Sequence, residues 1–446
     1  MFKKLINFGH SKLALLDEHT LEVVKKSFSS TIVKVAGMII GLGVSVFLGR
    51  TIGADGLGII NLSNRVVNIL LVVGLLGMRQ VIIKEVAIAH NKKDYAHIGN
   101  VMHTAYWLNG AFTLTLSVIF IFLSPWLANT VFNEPRLQYP LMIALVAMIP
   151  QVFSRIFSSG LIGYRKIWQS NLVEQTLSIA ITGIILVILW LLKKDIAVNI
   201  VAVCYAIGRI GVTISVGFYW KSLYRFKSKR NIISKQLLKT SIPLLIITIT
   251  SILESNADVI ILGALADVKQ VGLYTVAARI ALLASFFLQV TNASVNPKIA
   301  SLYETGKTKE LEKMAQSVTK GLGIIGFFLL IIFIFLGKTI LSIWGAEFMT
   351  GYWILLVLGF AQFINITTGA VGGLLIMTGH EKYHRNISIV MLVIGLILYI
   401  PFVYFYGAIG AAIVTATIIV SENILKLLFV RTKLNINVIL LLKMKK

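Results

Sequence analysis

Long uninterrupted apolar blocks decide what this chain can fold into. Ile324–Leu336, Ile181–Leu192 and Ile387–Ile400 contain almost nothing polar. Each extends to about 20 residues, the length at which an α-helix crosses a bilayer. Only 13% of the 446 residues are charged and 57% are hydrophobic, against roughly 25% charged in soluble domains, too few to cover a water-facing surface. Apolar blocks of this kind predict helices at 29–51, 57–83, 100–123, 138–160, 169–191, 197–219, 240–265, 270–297, 317–336, 352–377, 386–406 and 408–430. The expected fold is therefore an all-α integral membrane protein of about twelve transmembrane helices. No connecting stretch exceeds about 25 residues, which leaves no room for a soluble catalytic domain.

The net charge of +24 would suggest nucleic acid in a soluble protein. Its placement argues otherwise. With the N-terminus placed in the cytoplasm, 29 of the 42 Lys and Arg fall in inner segments and 6 in outer loops. That asymmetry is a positive-inside signal and puts both termini in the cytoplasm. Met1–Ser30 carries five lysines and no uninterrupted apolar core, so it reads as a basic amphipathic segment on the inner membrane face rather than a signal peptide.

The two halves resemble each other. At a shift of 214 residues, Leu48-Gly49 falls on Leu262-Gly263, Gly58 on Gly272 and Arg65 on Arg279; at 213, Glu134 meets Glu347 and Tyr139 meets Tyr352. Six helices per half is an even number, so the halves share an orientation, with the substrate route expected between them. The expected organisation is a cytoplasmic N-terminus (1–28), an N-lobe of six helices (29–220), a basic linker (221–239), a C-lobe of six helices (240–430) and a basic tail (431–446).

Polar residues recur at helical spacing within three spans. Asn61, Asn64, Arg65 and Asn68 share one face; Thr248, Ser251, Glu254, Ser255 and Asp258 form another stripe; Thr275, Arg279, Ser285, Gln289, Asn292 and Asn296 form a third. A lipid-facing charge at the midplane costs at least about 2.5–3.5 kcal/mol, so these faces must look toward protein or a water-filled cavity. Arg65 and Arg279 suit phosphate oxygens, which a guanidinium fork binds bidentately. Asn61, Asn64 and Asn68 could hydrogen-bond sugar hydroxyls or phosphate. Asp258 and Glu254 are the candidates for a proton or sodium coupling site. A static Asp258–Arg279 ion pair is the competing reading. Glu422 with Lys426, and Arg155 with Glu174, read as local structural pairs, and the tryptophans near helix ends, Trp220 among them, as an interfacial belt.

Enzyme motifs are missing: the sequence has no P-loop, HExxH or GxSxG. Cys204 is the single cysteine, and His380 and His384 lack a third ligand, so neither a disulfide framework nor a metal site is expected. The chain reads as a transporter without a bound cofactor, not an enzyme.

The stretch Phe47–Gly58, FLGRTIGADGLG, resembles the first-helix exit of polysaccharide flippases. Asn256–Ala266 followed by Val271–Tyr274 is similar to their seventh-helix motif, and Asn296–Ala300 with Glu310–Met314 to their connection between helices 8 and 9. The family is that of O-antigen and capsular polysaccharide flippases (Wzx-type) in the multidrug/oligosaccharidyl-lipid/polysaccharide exporter superfamily. The resemblance implies a MATE-like pair of six-helix lobes, alternating access and a bacterial inner membrane. It implies undecaprenyl-diphosphate-linked oligosaccharide as cargo, with a polysaccharide polymerase and a chain-length regulator as partners. A cation-coupled multidrug exporter of the same superfamily and a membrane oligosaccharide polymerase or ligase are the other readings. The first would want a more acidic cavity, the second a large outer loop.

Overall fold

The computed structural model describes residues 18–224 and 231–438, with side chains from residue 29 onward. The expected N-terminal segment 1–28, linker 221–239 and tail 431–446 lie wholly or partly outside the described residues. Among those residues all regular structure is helical. In chain order the helices are α1 Glu18–Gly74, α2 Met78–Asn91, α3 Tyr95–Trp126, α4 Gln138–Gly163, α5 Ile167–Asn171, α6 Leu177–Leu191, α7 Val198–Leu223, α8 Ser234–Glu254, α9 Ala257–Leu265, α10 Val268–Leu282, α11 Ser285–Glu304, α12 Thr308–Ser342, α13 Tyr352–Thr367, α14 Val371–Met377 and α15 Glu381–Leu434.

Nine of the described helical stretches are long and apolar enough to cross a membrane, or ten if α10 and α11, bent by 40°, form one span. Two are double length: Ser29–Gly74 with 46 residues and Glu381–Leu434 with 54. At about 1.5 Å per residue each is more than twice the thickness of a hydrocarbon core, about 30 Å. Each contains one backbone break, at Gly53 (φ 68°, ψ −173°) and Gly407 (φ 56°, ψ −135°). The expectation of twelve spans is reached only by counting these two stretches as two spans each and α10 with α11 as one.

Both breaks fall where only glycine is comfortable. A break also strands the amide that follows it. Glu347 accepts from the Ala54 N–H at 2.9 Å, and Gln270 accepts from the Ala408 N–H at 2.8 Å. Each orphan donor therefore has a side-chain acceptor, as a buried helix end requires.

Two compact units are present. The first gathers Val67–Ser124 and Tyr139–Ile249 with the described residues up to Ser45; the second gathers Val46–Val66, Pro125–Gln138 and the described residues from Thr250 onward. In the first unit α3 and α4 supply a fully buried row that includes Ile98, Val101, Leu141, Leu145 and Ile156. Trp220 belongs here rather than to the interfacial belt: it is 5% exposed and lies over Gly160, where a β-carbon would stand 2.7 Å from its ring. The remaining tryptophans of the expected belt, such as Trp107, Trp190 and Trp353, are exposed. In the second unit Leu48, Ile59, Leu62, Tyr274 and Phe348 are fully buried. Phe122, Phe335 and Phe218 are exposed, as lipid-facing side chains are.

Several expected spans are interrupted. The stretch 57–83 stops at Gly74, turns at Leu75–Gly77 with Gly77 at φ 70°, and resumes in α2. The stretch 240–265 breaks at Ser255–Asn256 between α8 and α9, and 352–377 breaks before α14 with Gly369 at φ 69°. Apolar periodicity carries across such breaks because the hydrocarbon selects composition, while the break depends on partners from other helices.

Candidate functional site

The polar stripe of the seventh expected span is the place where that span breaks. Ser255 and Asn256 leave the helical path between α8 and α9. Arg65, in the part of α1 that belongs to the second unit, meets the end of α8. Its Nη1 donates to the Ser255 carbonyl and to Asn256 Oδ1, both at 2.9 Å. A cation at a helix C-terminus also complements the macrodipole. Asn256 is itself 2% exposed, and its Nδ2 donates to the Ile252 carbonyl. Both contacts of Arg65 come from one nitrogen. Nε and Nη2 have no hydrogen-bond partner among the described residues.

Asp258 opens the next helix. It stands in the first turn of α9, where a carboxylate complements the positive end of the dipole. Oδ1 accepts from the Val259 N–H at 2.7 Å, and Oδ2 accepts from the Tyr274 hydroxyl at 2.8 Å. Tyr274 reaches Thr415 Oγ1 at 2.9 Å, which in turn lies 2.8 Å from the Tyr399 hydroxyl. Four side chains from α9, α10 and α15 thus form one hydrogen-bonded chain ending on a carboxylate. The Arg65 charge acts on Asp258. Arg279 is half-buried in the last turn of α10 and is not free.

The break separates the two acidic candidates. Glu254 ends α8 and is exposed, and its charged neighbours are Glu422 and Lys426 of α15. Lys426 Nζ lies 2.7 Å from Glu422 Oε1, the local pair expected from the i, i+4 spacing, and Ser388 donates to the same carboxylate. Glu254 and Asp258 would share a face on a continuous helix. Here they address different groups, the first an ion pair and the second a hydroxyl chain.

The asparagine face divides as well. Asn61 and Asn64 are half-buried on the same stretch as Arg65 and in the same unit, while Asn68 belongs to the first unit. Three participants carry no sequence signal that pairs them with Asp258: Tyr274 ends the stretch Val271–Tyr274, and Thr415 and Tyr399 are single polar groups in apolar runs. A further amide group carries no such signal either: Asn423 Nδ2 donates to Asn365 Oδ1, Asn365 donates to Gln362, and Thr368 donates to Asn423.

The family model described as "Polysaccharide biosynthesis protein" matches residues 23–303, more than half of the chain. The chain belongs to the polysaccharide biosynthesis protein family. Capsular polysaccharide biosynthesis protein CapF of Staphylococcus aureus is 27% identical over 190 residues, which is 42% of this chain and 47% of that relative. The match thus spans about half of the relative's length. Among solved structures, an inward-facing MATE family multidrug resistance transporter of the MOP superfamily gives a TM-score of 0.69 at 14% identity, covering 89% of this chain and 98% of that one. Lipid II flippase MurJ in an inward closed conformation gives 0.68 at 15% identity, covering 92% and 88%. Likeness at these identities shows the fold: this family member has the helical architecture of membrane transporters.

Proposed function

We propose that the chain is a flippase that moves undecaprenyl-diphosphate-linked oligosaccharide from the inner to the outer leaflet of a bacterial cytoplasmic membrane, with both termini inside, for a surface polysaccharide such as O-antigen, capsule or exopolysaccharide. The observation that carries this reading is Arg65: a guanidinium within a membrane-spanning stretch that caps a broken helix with one nitrogen and keeps the rest of its fork for a ligand. Moving a diphosphate past hydrocarbon is the costly part of flipping, because bare charge in a low dielectric costs tens of kcal/mol in the Born limit. A fork of N–H donors held at a helix break offsets that cost where the head group crosses. Family membership and the likeness to a lipid II flippase support the same reading.

Arg65 binds diphosphate oxygens, Arg279 adds the second cation, and Asn61, Asn64 and Asn68 meet sugar hydroxyls or phosphate. Asp258 takes and releases the coupling cation, a proton or sodium, with Tyr274, Thr415 and Tyr399 setting its hydrogen bonding. Glu254 is the second coupling candidate. Lobes of six helices, at 29–220 and 240–430, alternate access. Mass spectrometry of lipid-linked intermediates in a deletion strain tests the assignment: unexported, sugar-complete polyprenyl diphosphates accumulate if the chain is the flippase, and normal levels reject it.

A further inference from the structure

The first unit holds a second cluster of charge, centred on Glu174, that has no part in the proposed function. Glu174 lies in the π-helical turn Leu172–Thr176, a type of irregularity frequent at functional sites. Its side chain is 8% exposed. Arg79 of α2 donates to Oε1, Arg155 of α4 to Oε2 at 3.0 Å, and Ser158 to Oε1. Ser170 holds Ser158 at 2.6 Å. The carboxylate is therefore fully engaged.

The arginines are not. A guanidinium carries five N–H donors. Arg79 and Arg155 each give one nitrogen to Glu174, make no other side-chain bond to the described residues, and are 33% and 28% exposed. Arg209, in the middle of α7 and 8% exposed, is close enough to act on Arg155. Two guanidinium groups thus share one carboxylate, with Arg209 close to the second of them. Arginine cannot shed its proton to relieve this excess, as a buried lysine does. The donors left open on Arg79 and Arg155 suit an anion. Each arginine engages a different oxygen of Glu174, and a phosphate likewise presents several oxygens that such forks can bind.

We propose that Arg79 and Arg155, bridged by Glu174, form a phosphate-binding site in the first unit, separate from Arg65, that takes the phosphate of a lipid-borne head group or a free diphosphate. Glu174 repels the negative ligand that meets the remaining N–H donors and so keeps binding weak enough for release. Arg79 and Arg155 are binding residues; Glu174 positions them.

The test uses the full chain with Arg65→Gln, which removes the donor of the site described above, in phosphatidylcholine nanodiscs, and reads the unfolding midpoint against inorganic pyrophosphate. Pyrophosphate stabilises this background, Arg79→Gln or Arg155→Gln abolishes the effect, and Glu174→Gln binds about tenfold tighter because a repelling negative charge is gone. If a glutamine variant fails to fold, Arg155→Lys keeps the charge, loses the fork and weakens binding. Stabilisation by phosphatidylglycerol discs without a response to pyrophosphate assigns the site to lipid head groups. No response to either probe, or Arg79 and Arg155 variants that respond like their parent, overturns the site and leaves a static ion cluster. Because Arg65 is already absent, that outcome leaves the proposed flippase function standing.

Discussion

Gly58 lies directly against Gly272: a β-carbon on Gly58 would stand 1.8 Å from the Val268 carbonyl oxygen and 3.2 Å from the Gly272 amide, and one on Gly272 would stand 2.0 Å from the Ala54 carbonyl oxygen. The two residues also correspond in the internal repeat, so each half of the sequence contributes the same small residue to one close helix crossing within the second unit. Arg65 lies about two turns from Gly58 along α1, which ties the placement of this arginine to the crossing.

The crossing is backbone on backbone, so it cannot relax by a rotamer change. Gly58→Ala and Gly272→Ala are each expected to destabilise by at least about 2 kcal/mol, the upper range for overpacking. Thermal unfolding in detergent measures it. A midpoint unchanged in either variant would show that the crossing has slack.

The helix breaks make a separate prediction. Gly53→Ala and Gly407→Ala force a β-carbon into a glycine-only region at a cost of about 1–3 kcal/mol each. Gln270→Ala removes the acceptor of the Ala408 amide and costs about 1–3 kcal/mol if that amide stays buried. Gln270→Glu keeps an acceptor and should be milder; equal losses would mean that packing, not the capping bond, matters at that residue.

Outside the spans, Arg136 donates to both oxygens of Glu134, and these bonds hold the Glu134 carboxyl below its ordinary range. A carboxyl depressed in the folded state adds stability that is present above its unfolded value and is lost as pH falls through the folded value. Stability between pH 5 and 7 should therefore be flat with respect to this group, and the acid limb below about pH 4 should be shallower in Glu134→Gln. Unfolding midpoints across that range decide it; an identical acid limb rules the pair out as a contributor.

How much of this was readable from the residues follows from what hydrocarbon selects. Apolar blocks mark helices, and the local pairs Glu422–Lys426 and Arg155–Glu174 follow from spacing and depth. Breaks are less visible. Ser255 and Asn256 fit a polar helical stripe as well as they fit a gap, and what makes them a gap is Arg65, about 190 residues away in sequence. Tyr274, Thr415 and Tyr399 converge on Asp258 from three places in the chain. A tyrosine or threonine alone in an apolar run is compatible with lipid, belt or core, so only tertiary structure could pair them. Trp220 shows the same limit: its position near a helix end predicted an interfacial ring, and Gly160 supplies the space that buries it.

The hydroxyl chain bears on coupling. Asp258→Asn keeps the size and an acceptor for Tyr274 but removes the charge that a cation or proton needs. Export in this variant should continue down a substrate gradient and lose its dependence on an ion gradient. Tyr274→Phe removes one donor to the carboxylate and should shift the ion concentration needed for half-maximal export without abolishing coupling. Both are read in proteoliposomes with imposed ion gradients. Full gradient dependence in Asp258→Asn would place coupling elsewhere, with Glu254 next to be replaced.

Head-group translocation by the purified chain with Arg65 replaced tests whether this guanidinium carries the diphosphate. Proteoliposomes carrying a polyprenyl-diphosphate-linked oligosaccharide, probed by a membrane-impermeant reagent for the sugar, report its arrival on the far leaflet. Arg65→Lys, which keeps the charge and loses the fork, should fold normally and translocate at least about tenfold more slowly than the wild type, a loss on the scale of one charge-assisted hydrogen bond. Wild-type rates in Arg65→Lys and Arg65→Ala would contradict the account, since the guanidinium would then serve only to cap the break at Ser255 and Asn256.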